Sequence, residues 1–204
     1  MPIQLPTVFI SSPHRDLVEY RSKVIDAVRT IGLFPMAMEV LPGHEDPPIE
    51  HCLNKLDQSD FCVVIVGNSY GSRPPERRRS YTWTEYEHAR KKRIPIRVFL
   101  IDQTACPSTS ECDGGDDAKQ LEEFKGLLRK RHTPKTFRTP DDLAIEVVAS
   151  LVELRLASGQ ENQQPFEHAT TVSDIEGLFS RATVSLRTWP QQGVDRTSGA
   201  VRDL

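Results

Sequence analysis

The chain has 204 residues, a net charge of −3 and an apolar share of 37%. That length holds one domain, or one domain with an extension, since domains commonly run about 100–200 residues. The charge offers no basic excess for a nucleic-acid backbone, and no window approaches the roughly 18 apolar residues of a membrane-crossing helix.

The low apolar share and 15 prolines point to a packed core joined to a solvated or irregular part. The start, "MPIQLPTVFISS", lacks the basic and apolar stretches of a secretion signal and runs straight into a strand. "TVFISS" is short, apolar and rich in β-branched residues, as a buried strand requires. Ser12 followed by Pro13 is the order of an N-cap and a first helical proline. Leu17, Val24, Ile25, Val28 and Ile31 then share one helical face, and Gly32 ends that helix. "LFPMAMEV" gives a second strand, and "LPGHEDPP" a loop.

Ile49 to Leu56 has helical spacing, and "SDFCVVIVG" is the most apolar strand, suited to burial on both faces. "NSYGSRPPERRRS" is an extended loop. A helix is expected over Thr82–Arg93, and "IPIRVFLID" is another buried strand. "QTACPSTSECDGGDD" is polar and exposed. "AKQLEEFKGLLRKR" is amphipathic through Leu121, Phe124, Leu127 and Leu128. Beyond a short extended piece, "TPDD" opens the next helix.

Strands alternating with helices in this way predict an α/β domain with a parallel sheet of about five strands and helices on both faces, over residues 4–157. Ligands of such sheets bind at the strands' carboxyl ends. Those ends are Ser11–Ser12, Glu39, Gly67–Tyr70 and Asp102. Residues 158–172 form a polar linker. Residues 173–189 read as an amphipathic helix with a Ser173/Glu176 capping box, and 190–204 as a disordered tail. The lone terminal helix needs a partner: the domain, a second chain or a further segment.

Of the four cysteines, Cys62 reads as a small buried hydrophobe. Cys106 and Cys112 lack the tight spacing of a zinc site, so no metal is expected. A reduced, cytoplasmic protein follows.

Four clusters carry candidate chemistry. In "VFISSPHRD", a strand end feeding a helix start could hold a phosphate or ribose on Ser11, Ser12 and Arg15, or Ser12 could simply cap the helix. "GNSYGS" makes a tight exit loop, through Gly67 and Tyr70, that could lie against a flat ring or be turn chemistry alone. "RPPERRR" is a solvated segment or a lid whose arginines meet phosphates. In "SYTWTEYEHARKK", Thr82 with Glu85 and Thr84 with Glu87 both fit a capping box. A carboxylate on the first turn of a helix at the ligand edge could instead stabilise the positive charge of glycosidic cleavage. Both readings stand on these residues alone.

The ordered blocks "VFISSPHRDLVEYR", "GLFPMAMEV", "CLNKLDQSDFCVVIVGNSYGS" and "YTWTEYEHARKKRIPIRVFL" resemble the uncharacterised TIR-like domain family over about Thr7–Leu156. Such domains often stand at the N-terminus of large bacterial signalling or defence NTPases. The resemblance implies a flavodoxin-like sheet related to TIR and nucleoside deoxyribosyltransferase domains. It also implies NAD as a substrate rather than a bound cofactor, a homo-oligomer, and a downstream effector or NTPase partner. The family's "E-Y-x-x-A" pattern falls on Glu85, which becomes the implied catalytic glutamate, with Glu87 as the alternative. Glu39 matches a family glutamate at the end of the second strand, and Tyr70 and Trp83 would flank a base. A non-catalytic interaction or oligomerisation module is the competing reading, and nucleoside deoxyribosyl transfer a third.

Overall fold

The computed structural model describes residues 5–40, 49–75, 77–102 and 115–157. The expected linker, terminal helix and tail lie outside the described residues, as do Cys106 and Cys112. Among the described residues the elements alternate throughout: β1 (Thr7–Ser11), α1 (Val18–Thr30), β2 (Phe34–Met36), α2 (Ile49–Asp57), β3 (Phe61–Val66), α3 (Tyr81–Lys92), β4 (Ile96–Ile101), α4 (Asp116–Arg131), β5 (Lys135–Phe137) and α5 (Pro140–Ala157). A single 3-10 turn, Met38–Val40, follows β2.

The five strands are all parallel and lie in the order β2-β1-β3-β4-β5. This is the flavodoxin-like order, in which the chain changes direction of winding between β1 and β3. Every residue of β3 is buried, which explains its unbroken apolar run. Strand alternation sorts the core into two layers. Phe9, Cys62, Val64, Val66, Val98 and Leu100 pack with buried residues of α2, α3 and α4. α1 and α5 pack together, burying Val24, Ile25 and Val28 of the former and Leu143, Val147 and Leu151 of the latter.

Two helix starts differ from the sequence expectation. α1 begins at Val18, with Leu17 at its N-cap and no side-chain cap, so Ser12 is not a cap. The intervening residues are held elsewhere: the Asp16 carboxylate accepts the amides of Asn68 (2.7 Å) and Ser69 (3.0 Å) beyond β3. α3 begins at Tyr81, not Thr82. Its N-cap is Ser80, whose hydroxyl accepts the amide of Trp83 at 3.3 Å. The Ser80 amide donates to the Tyr70 hydroxyl at 3.1 Å, which does the work a capping-box glutamate would do. Both glutamates are thereby released from capping.

α5 opens as "TPDD" suggests. Thr139 and Asp142 exchange hydrogen bonds, amide to carboxylate at 3.2 Å and amide to hydroxyl at 3.1 Å, a reciprocal N-terminal cap.

Candidate functional site

Since the strands are parallel, β1 and β3 end along one edge of the sheet at the switch point, with Ser11 opposite Val64 and Gly67 just beyond the end of β3. α3 brings Glu85 to the same place. Its side chain is buried, with the residue 6% exposed, and the Ser11 hydroxyl donates to Oε2 at 2.5 Å. Burial raises the Glu85 carboxyl above its ordinary range; the Ser11 hydrogen bond, the charge of Arg21 and a hydrogen bond with Cys52 oppose that rise. Cys52, on α2, is itself pushed up to about 12 by burial and by the neighbouring Glu85 charge, so it stays a neutral thiol. Cys62 is likewise raised by burial and by Glu85. Both cysteines are free and buried.

Ser12 turns to the other layer. Its hydroxyl accepts from Arg21 Nη1 at 2.5 Å, and its carbonyl accepts from the same nitrogen at 3.3 Å. Arg21 is 2% exposed and forks onto Glu39, with Nε to Oε1 and Nη2 to Oε2 at 2.7 Å. Burial would raise the Glu39 carboxyl, but the Arg21 hydrogen bonds and charge outweigh it and hold the group below its usual range. His14 Nδ1 approaches Glu39 Oε1 at 3.5 Å.

The other predicted residues take distinct places. Arg15 is exposed in the β1–α1 connection. Gly67 is pressed against Asp16: a Cβ there would lie 2.3 Å from Oδ2. Tyr70 and Trp83 lie inside the core, 1% and 2% exposed. Their rings meet edge to face at 6.3 Å, and Trp83 stacks on Phe124 at 4.9 Å. Trp83 Nε1 has no hydrogen-bond partner among the described residues.

Glu87 points away from Ser11, to Arg131 (3.0 Å) and Arg90 (3.6 Å). Of the two candidate glutamates, the structure brings only Glu85 to the strand ends. Asp102, at the end of β4, is bound by Arg138 Nε at 2.8 Å. The arginine-rich loop is largely engaged with the protein: Arg73 with Asp116 and Asp117, Arg77 with Glu50 at 3.7 Å, and Arg79 over the Trp83 ring at 4.6 Å.

Sequence reasoning missed Arg21, Cys52 and Asp16. Arg21 and Cys52 interrupt otherwise ordinary helical stripes, and their partners are remote in sequence. Asp16 closes the "FISS…D" block, and its fit to Gly67 is a contact that sequence distance conceals. Among the described residues no group of three or more His, Cys, Asp or Glu could hold a metal ion, and no helix is long and apolar enough to cross a membrane.

A family model described as "Domain of unknown function (DUF4062)" matches residues 7–152. The chain belongs to the DUF4062 family. The expected flavodoxin-like parallel sheet of five strands is present. Among solved structures, this DUF4062 domain is similar to the RPS4 and RRS1 TIR domain heterodimer. The TM-score is 0.47 at 13% identity, over 75% of this chain and 99% of that one. It is also similar to the TIR domains of the activated Roq1 resistosome recognising the effector XopQ. There the TM-score is 0.39 at 13% identity, over 89% and 99% of the two chains. No curated protein matches the sequence.

Proposed function

We propose that this TIR-like signalling module binds NAD and hydrolyses its nicotinamide N-glycosidic bond, with Glu85 as the catalytic carboxylate. The observation that carries the proposal is the Glu85 side chain, buried at the β1/β3 switch point and held by Ser11 at 2.5 Å. Nicotinamide is already a cation in NAD. When the C1′–N bond breaks, its electron pair returns to the ring and nicotinamide leaves neutral, without an acid. Positive charge then grows on the ribose, and a carboxylate in a low-dielectric site opposes it strongly. Water adds at C1′ and releases a proton, giving ADP-ribose and nicotinamide. Only ionised Glu85 can do this, so turnover rises as pH passes upward through its raised pKa.

Ser11, Ser12, Arg15, Glu39 and the Gly67 loop supply hydroxyls, charge and backbone for ribose and phosphates. Reaching Glu85 requires the side chains over it to move. We infer a homo-oligomer in which self-association completes the site, with a downstream effector or NTPase partner, acting in bacterial defence. The neutral thiols of Cys52 and Cys62 fit a reducing cytoplasm. Concentrated protein incubated with NAD should release nicotinamide, with turnover per molecule rising with protein concentration. NAD left intact at every concentration would remove the proposal.

The burial of Glu85 also supports a second reading, a non-catalytic oligomerisation module in which the Ser11 contact is purely structural. Inert protein that still self-associates decides for it.

A further inference from the structure

Two adjacent serines at the end of β1 send their hydroxyls to opposite layers, Ser11 to Glu85 and Ser12 to Arg21. Arg21 in turn grips Glu39 with two nitrogens. The result is one continuous line, Glu85–Ser11–Ser12–Arg21–Glu39, through three elements and the turn after β2. A buried arginine with a single carboxylate partner would be a structural tie. Here the guanidinium also binds the backbone next to the residue that holds Glu85.

We propose that Arg21 is a positioning residue for the site: it fixes the Ser11–Ser12 strand end against Glu39 and sets its positive charge at that strand end, where it favours the carboxylate form of Glu85. Glu39 competes for that charge, so the pair works as a setting rather than a simple anchor. The groups facing Glu85 are Ser11 from β1, Cys52 from α2, Cys62 from β3 and Arg21 from α1. Those facing Glu39 are Arg21 and His14. Only Arg21 is a permanent cation among them.

The proposal rests on Glu85 being the working carboxylate, yet its test needs no substrate. Protein labelled with 13Cδ-glutamate is titrated by NMR, with the Glu85 signal assigned by its loss in E85Q. E39Q keeps an acceptor for Arg21 but removes the competing charge, so the Glu85 midpoint should move to lower pH than in wild type. R21M/E39Q replaces a buried ion pair by groups that need no pairing, a change that folds commonly tolerate. Relative to E39Q, its Glu85 midpoint should move to higher pH. Should the methionine variant not fold, R21Q/E39Q carries the same comparison. Repeating the series with H14N removes the remaining titrating neighbour of Glu39. Equal midpoints in E39Q and the double variant, or a lower one in the double variant, overturn the proposal. In protein that turns over NAD, the acid limb of the pH–rate profile should move in the same directions.

Discussion

At the scale of single residues, the site depends on contacts between side chains far apart in sequence. Gly67 is required by Asp16, whose carboxylate occupies the space a Cβ would need and accepts two amides of the following loop. We predict that G67A destabilises the fold by about 1–3 kcal/mol, as overpacking does, read from urea unfolding midpoints; unchanged stability would refute this fit. Glu85 gives a prediction in pH. Its folded pKa is raised chiefly by burial, so the folded state holds this proton more tightly than the unfolded one. Its contribution to stability is therefore full below the unfolded carboxylate value and is lost as pH rises through the folded value. E85Q should flatten that decline across the same window in unfolding midpoints measured against pH. Parallel curves for the two proteins would contradict it.

These residues also mark the limit of what sequence can disclose. Glu85 was legible as a candidate because a glutamate stood near the start of a helix beside a strand edge. Its separation from Glu87 was not, since two overlapping Ser/Thr-x-x-Glu frames fit equally well until Ser80 proved to be the cap. Arg21 falls within the apolar stripe of α1, and sequence alone does not show what pairs its charge there; only the fold, which brings the turn after β2 against α1, supplies Glu39.

At the scale of elements, apolar runs announced β1, β3 and β4 because parallel strands are covered on both faces. Helix starts were less legible. The Ser12–Pro13 pair has the chemistry of a cap, but Asp16 ties this stretch to the β3 exit and delays α1 until Val18. α3 ends with Arg93 in the left-handed region, at φ 60°, where a Cβ is costly by about 1–2 kcal/mol. Glycine removes that strain but adds freedom to the unfolded chain, worth about 0.5–1 kcal/mol. R93G should therefore stabilise the domain by about 0.5–1 kcal/mol, checked by thermal or urea unfolding. Destabilisation would show that the Arg93 side chain makes up the difference.

At the scale of the molecule, the strand order β2-β1-β3-β4-β5 decides where chemistry can occur. It sets the β1 and β3 exits side by side and leaves their loops as the natural ligand edge. The alternation of strands and helices made this architecture readable from sequence, and the two-layer core follows from it. The proposal of NAD hydrolysis assigns one role to Glu85 at that edge and none to Glu87 on the outer face. The direct measurement is nicotinamide release by wild type, E85Q and E87Q at the same high protein concentration. E87Q should retain turnover, whereas E85Q should lose at least about a hundredfold, the scale of a removed electrostatic stabiliser. Undiminished release by E85Q would contradict the assignment.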